Sequence, residues 1–109
     1  MAADKEGKVQ AGIIAWLEKN GFWTVKTIVC NKTGIMDIIA CAPTGRFIGI
    51  EVKYGNGKPS EMQKYHIEEV KRRNGIAFVA WDLQTVISYV QSEIQDVKQK
   101  AKSTAKPLL

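Results

Sequence analysis

Three residues near the middle of the chain, Asp37, Glu51 and Lys53, combine types and spacing that can do chemistry. Asp37 lies in the apolar run Met36–Ala42, and Glu51 and Lys53 lie in the run Arg46–Tyr54. Between the runs stand only Pro43, Thr44 and Gly45. A three-residue hairpin loop ending in Gly is common, because Gly takes the left-handed position without strain. With Thr44 at the loop centre, Asp37 faces Glu51, Ile39 faces Gly49 and Cys41 faces Phe47. Side chains alternate along a strand, so Asp37, Glu51 and Lys53 are expected on one face.

Directly opposed residues have Cβ atoms about 5 Å apart, and like charges there destabilise a sheet. The neighbours Met36, Ile38, Ile50 and Val52 are apolar, so both strands read as buried on both faces. Two carboxylates in such a place require a compensating charge. One source is a divalent cation, Mg²⁺ or Mn²⁺, which takes hard oxygen ligands; the other is Lys53. An Asp-Glu-Lys ion cluster without a chemical task is the rival account. Buried ion clusters stabilise poorly, because desolvation offsets the Coulombic gain, and this favours a functional role. A cation held by Asp37 and Glu51 would polarise a phosphoryl oxygen and acidify a water. Lys53 would orient that water or stabilise charge on the phosphate. Phosphodiester hydrolysis fits these parts better than acyl transfer. The one histidine is His66, and no Ser-His or Cys-His pairing is indicated.

Further residues are candidates with ordinary alternatives. Glu6 shares a helical stripe with Val9, Ile13 and Trp16 that should face the sheet, which would bring it toward the site. An acid in a first helical turn is also favourable wherever it points. Gln63 completes a capping box with Ser60, yet a Gln just after the Lys53 strand can also bond a site group. Lys58, Ser60 and Lys64 are candidate phosphate contacts, and Lys58 stands out by its place in the loop YGNGKP. His66 reads as a partly exposed helix residue.

The elements that must position these residues follow from periodicity. Lys5–Asn20 reads as a helix closed by Gly21, and Trp23–Cys30 as a strand. The two runs of the hairpin supply two more strands. A helix runs from Ser60 to Arg73 and ends at Asn74-Gly75, and a buried strand covers Ile76–Trp81. Asp82 caps a last helix carrying Val86, Ile87, Val90, Ile94 and Val97. The order α-β-β-β-α-β-α implies a three-layer α/β/α sandwich around a mixed sheet, its last two strands parallel through a right-handed crossover.

A length of 109 residues suits one domain, expected over residues 1–97, with a basic tail over 98–109. No apolar run approaches the ~20 residues of a membrane span, and the N-terminus lacks a secretory layout, so no membrane association and a cytoplasmic location are expected (host cytoplasm for a phage or prophage protein). Cys30 and Cys41 have neither zinc nor redox spacing and read as reduced core thiols. The formal charge is +5, but Lys98, Lys100, Lys102 and Lys106 supply four of those charges. Nucleic-acid binding must therefore rest on local patches.

The segments Gly34-Ile35-Met36-Asp37 and Ile50-Glu51-Val52-Lys53 resemble the PD-(D/E)xK nuclease superfamily, with Met36 where its name has Pro. More narrowly, the chain resembles the VRR-NUC (virus-type replication-repair nuclease) family. The similar features are Glu6 with Val9-Gln10, Gly45–Lys53, Gly57–Ser60, Gln63 and Gly75–Ala80. The resemblance spans Glu6 to Tyr89 and implies a restriction-endonuclease-like αβββαβ core. It implies Mg²⁺ or Mn²⁺ bound by Asp37, Glu51 and the carbonyl of Val52. By the same token Lys53 would serve the attacking water, Gln63 would support the site, and Glu6 would be an outer or direct acid. Stand-alone members of this size are similar to homodimeric Holliday-junction resolvases of phage and bacteria. The implied activity is a structure-selective DNA endonuclease on branched or duplex DNA. A nicking or restriction-like nuclease is one alternative, and a non-catalytic DNA-binding protein is another.

Overall fold

The computed structural model describes residues 2–94. The order is α1 (Ala2–Lys19), β1 (Trp23–Lys26), β2 (Ile38–Cys41), β3 (Phe47–Val52), α2 (Glu61–Arg72), β4 (Ile76–Ala80) and α3 (Leu83–Val90), with a 3-10 turn at Gln91–Glu93. The sheet runs β1-β2-β3-β4, antiparallel between the first three strands and parallel between β3 and β4. The two hands of pairing follow from the connections. Three residues suffice for a hairpin, whereas a helix carries the chain back to start a parallel strand.

Strand alternation sets the layers. Ile38, Ala40, Ile48, Ile50, Val52, Phe78 and Ala80 meet Ile13 and Leu17 of α1 and Val86 and Val90 of α3 in the main core. Full burial of each large aliphatic side chain there is worth roughly 1.5–3 kcal/mol. On the opposite side, Ala77 and Val79 meet Ile67 and Val70 of α2, together with Met36. The sheet thus lies between α1 with α3 on one side and α2 on the other. Glu51 and Lys53 alternate with Ile50 and Val52, which assigns them to the α2 side.

Local chemistry fixes the connections. The amide of Ala42 donates to the carbonyl of Arg46 at 2.9 Å, and that of Gly45 to Ala42 at 2.7 Å, closing the three-residue loop. Gly45 sits at φ +91°, where a side chain would strain the turn. The carboxylate of Glu93 accepts from the Thr44 hydroxyl and lies 3.7 Å from Arg46, tying the loop to the end of the α3 region. Asp82 accepts from the Thr85 amide at 2.8 Å as the α3 cap, a contact worth about 1 kcal/mol.

Three expectations are corrected. β1 ends at Lys26, not Cys30. Past Thr27 no strand remains to pair with, and Ile28 and Val29 are exposed despite their strand propensity. Cys30 and Cys41 are free and exposed, not core thiols. Cys41 points to the α2 side at an end of the sheet beyond the helix. α3 stops at Val90 and tightens into the 3-10 turn; Val97 and the basic tail lie outside the described residues. Among those described, no helix is long and apolar enough to cross a membrane.

Candidate active site

The β2–β3 register pairs Ile38 with Ile50, Ile39 with Gly49 and Cys41 with Phe47. This is the alignment expected from a loop centred on Thr44. Regular pairing nevertheless stops just before Asp37, which lies in a bend ahead of β2. The next ladder partners would be Met36 and Val52, but the Met36 carbonyl accepts from the Thr27 hydroxyl at 2.8 Å. The Val52 amide turns instead to the Asp37 carboxylate, donating to Oδ2 at 2.8 Å. Asp37 is held from behind as well, its carbonyl accepting from the Thr27 amide at 2.9 Å. Regular strand pairing is thus lost at Asp37, and its carboxylate enters the gap that opens between the two strands, where it still lies beside the Glu51 carboxyl as expected. A strand residue points its N–H and C=O to the same side, so the Val52 carbonyl faces this gap too.

Glu51 is 2% exposed. Its Oε2 accepts from Gln63 Nε2 at 2.9 Å and lies 3.3 Å from Lys53 Nζ. Its Oε1 is buried with no partner, a deficit that costs about 1–3 kcal/mol for a polar atom and more for a charged one. Burial first, and the charge of Asp37 second, push the Glu51 carboxyl from 4.5 up to about 7, against the downward pull of Lys53. One lysine thus does not offset both acids.

Gln63 satisfies both roles that its position suggested. Its Oε1 accepts from the Ser60 amide at 2.7 Å while Ser60 Oγ accepts from the Gln63 amide at 3.1 Å. This capping box uses the carbonyl end of the side chain, which leaves the NH₂ end to face Glu51. Gly34 sets the spacing between the two halves of the site. It sits at φ +78°, and a Cβ there would stand 2.7 Å from Met62 Cβ and 3.1 Å from the Gln63 amide nitrogen. The loop leading to Asp37 can therefore rest on the first turn of α2. On the far side, the Trp81 indole N–H donates to the Gly57 carbonyl at 3.1 Å, anchoring the loop that carries Lys58.

The other candidates are placed less centrally. α1 covers the sheet face opposite Glu51, although Lys5 Nζ lies 5.7 Å from the Tyr54 ring centre, bringing the helix start toward the end of β3. Among the described residues no three His, Cys, Asp or Glu side chains converge as a metal-holding group, so Glu6 does not form a third acid with Asp37 and Glu51. The buried stripe of α1 is Gln10, Ile13 and Leu17, with Val9 and Trp16 only partly covered. Lys58 and Ser60 are exposed. Lys64 pairs with Glu61 at 3.0 Å on the surface, an interaction worth little and easily exchanged for a phosphate. The His66 ring meets the Thr33 carbonyl at 2.9 Å, which steadies a loop.

Two buried or bridging residues were given no site role from the sequence. Thr27, which holds the Asp37 segment, looks like one more β-branched strand residue. Gln10 is 8% exposed with an unpartnered Oε1. Its signal was available: a polar side chain three residues before Ile13 on the inward stripe.

No protein-family model matches the sequence, and no curated protein does. Solved structures do match. One described as a VRR_NUC domain superposes with a TM-score of 0.68 at 27% identity, covering 80% of this chain and 95% of that one. Another, described as a VRR_NUC domain protein, gives 0.67 at 24% identity, covering 81% and 86%.

Proposed function

We propose that the chain, whose fold is that of VRR_NUC domain proteins, is a metal-dependent DNA endonuclease of that family acting through Asp37, Glu51 and Lys53. The observation that carries this reading is the unsatisfied Oε1 of Glu51, buried beside a second acid. A divalent cation would relieve both the missing partner and the repulsion. Asp37, Glu51 and the Val52 carbonyl supply hard oxygen donors of the kind Mg²⁺ or Mn²⁺ takes. When bound, such a cation supplies charge that polarises a phosphoryl oxygen and lowers the pKa of water.

The chain's own residues do the rest. Gln63 fixes the Glu51 carboxylate, and the capping box fixes Gln63. Asp37 is fixed by the Val52 amide. Lys53 Nζ, held on Glu51, presents a positive charge at the edge of the sheet, where it can steady an attacking water and the phosphate's developing charge. In the hydrolysis, water oxygen bonds to phosphorus, one P–O ester bond breaks, and the departing oxygen takes a proton. Lys58, Ser60 and Lys64 lie on the loop and helix start that flank these groups, suited to holding the DNA backbone.

The substrate we propose is branched DNA, cut as a Holliday junction is resolved, by a homodimer. One domain with one site makes one cut, and paired symmetric cuts require two sites related by a two-fold axis. Incubation with four-way junctions, flaps, single strands and linear duplex in Mg²⁺ tests this directly. Preferential junction cleavage is expected; linear duplex cut equally well would defeat the resolvase reading and leave a general nuclease.

A further inference from the structure

Among the described residues the sheet ends at β4, and a cleft of about 350 Å³ opens along that edge between α2 and α3. Its size is at the lower end of small-ligand sites. Phe78, Trp81 and Tyr89 give it aromatic walls, and Lys64 of α2 lines it as well. Trp81 is 41% exposed yet fixed, because its indole N–H donates to the Gly57 carbonyl at 3.1 Å. Tyr89, 51% exposed, lies flat on the buried Phe78 ring, their centroids 4.1 Å apart. The Lys53 amide donates to the Ala80 carbonyl, so Ala80 turns its backbone groups toward β3. Val79, one residue earlier, turns its own outward along the cleft, where an edge strand leaves them unpaired. Flat rings and an open donor with an open acceptor match the two features by which a free nucleobase is held, its face and its hydrogen-bonding edge.

We propose that this cleft binds an unpaired DNA base close to the scissile phosphate, stacked on Trp81. The inference rests on the DNA nuclease function proposed above and narrows its substrate to strands whose bases have left the duplex stack. Its position favours this occupant. Trp81 follows Ala80, the register partner of Val52, so it stands beside Lys53 on the α2 side of the sheet. Neighbouring strands lie ~4.8 Å apart, which is within about two base steps at ~3.4 Å each. Gly57 joins the two residues: its carbonyl accepts from Trp81, and a Cβ on it would stand 3.5 Å from the Lys53 side chain. Val79, whose backbone faces the cleft, is the register partner of Glu51. Lys58, on the loop that Trp81 pins, and Lys64 are placed for the phosphates on either side of such a base. Aromatic rings interleaved with lysines hold single strands with little regard to sequence. A base inside a duplex must leave its stack to reach Trp81, and a flap or branch point lowers that cost.

The test uses the full chain in EDTA, so that it is independent of cleavage, with labelled oligodeoxynucleotides followed by fluorescence anisotropy. The wild type should bind a single strand and a duplex bearing a short unpaired flap, and Trp81→Ala should weaken both about tenfold. Affinity for a fully paired duplex of equal length should fall less than about twofold. Trp81→Phe keeps a ring and loses the indole N–H, and should restore most of the affinity. Trp23→Ala, on the opposite edge strand, should behave as wild type. An aminopurine base in the flap beside the branch should be quenched at saturation by the wild type and less so by Trp81→Ala. Equal losses on single strand and paired duplex overturn the proposal. So does a Trp81→Phe variant as weak as Trp81→Ala, since Trp81 would then serve only to anchor the loop of Lys58. A wild type that binds no unpaired DNA, or leaves the aminopurine signal unchanged, overturns it too. Base binding through Trp81 without cleavage in Mg²⁺ supports this site while refuting the nuclease reading; metal-dependent cleavage with base binding indifferent to Trp81 does the reverse.

Discussion

Replacing Glu51 by Gln should make the metal-free protein more stable at neutral and alkaline pH while abolishing its activity. The substitution keeps shape and removes a charge. In the fold the Glu51 carboxyl is raised from 4.5 to about 7, so between those values the folded state holds the proton more tightly than the unfolded chain. By linkage, stability then falls as pH rises through that window, is undiminished below 4.5, and reaches its full deficit above 7. The interval corresponds to on the order of 3 kcal/mol. The value of about 7 already includes the downward pull of Lys53, so that ion pair is not subtracted again. Gln63 keeps an acceptor, because the amide that replaces the carboxylate still offers an oxygen. The expected gain at pH 8 is therefore on the order of 3 kcal/mol, or about 15 °C in thermal midpoint. Unfolding followed by circular dichroism in EDTA from pH 4.5 to 8 reads it. The variant and wild type should converge at the acid end and separate with rising pH. A variant less stable than wild type by a constant amount at every pH would refute the reasoning, because Glu51 would then be an ordinary ion-paired carboxylate. Added Mn²⁺ should narrow the gap by stabilising the wild type alone.

Other changes separate chemistry from scaffolding. Lys53→Ala should bind a four-way junction nearly as well as wild type by gel shift while losing measurable cleavage. Because Lys53 pulls the Glu51 carboxyl downward, its removal should also move that titration further up, as read by carboxyl NMR shifts. Gln63→Ala removes a capping residue and a Glu51 partner together, and should cost about 1–2 kcal/mol in urea denaturation; Gln63→Glu should recover the cap but not the activity. Gly34→Ala meets both a left-handed φ and the Met62 side chain, and should cost more than ~1 kcal/mol with a fall in kcat.

Much of this site was legible in the sequence because hairpin geometry is local. The Pro43-Thr44-Gly45 loop fixes the register, and register places Glu51 and Lys53 on the side that α2 later covers. The place of Asp37 was not legible in the same way. Whether a strand continues one residue further depends on what competes for the partner's backbone, and Thr27 arrives from a third segment to take the Met36 carbonyl. Gln63 posed a choice that the fold dissolves, since the two ends of one amide serve the cap and the acid separately. Glu6 shows the opposite limit: helical periodicity identifies an inward stripe but not which face of the sheet receives it. The exposure of Cys30 and Cys41 has a similar origin, because apolar neighbours in sequence do not reveal whether a helix covers the strand.

The central claim is that Asp37 and Glu51 hold a divalent cation on which cleavage depends. The most direct measurement compares wild type and Asp37→Asn on a labelled four-way junction in Mg²⁺, in Mn²⁺ and in EDTA. The account predicts cleavage by the wild type with either metal, none in EDTA, and none by the variant in any condition. Cleavage that persists in EDTA, or an Asp37→Asn variant as active as wild type, would contradict it.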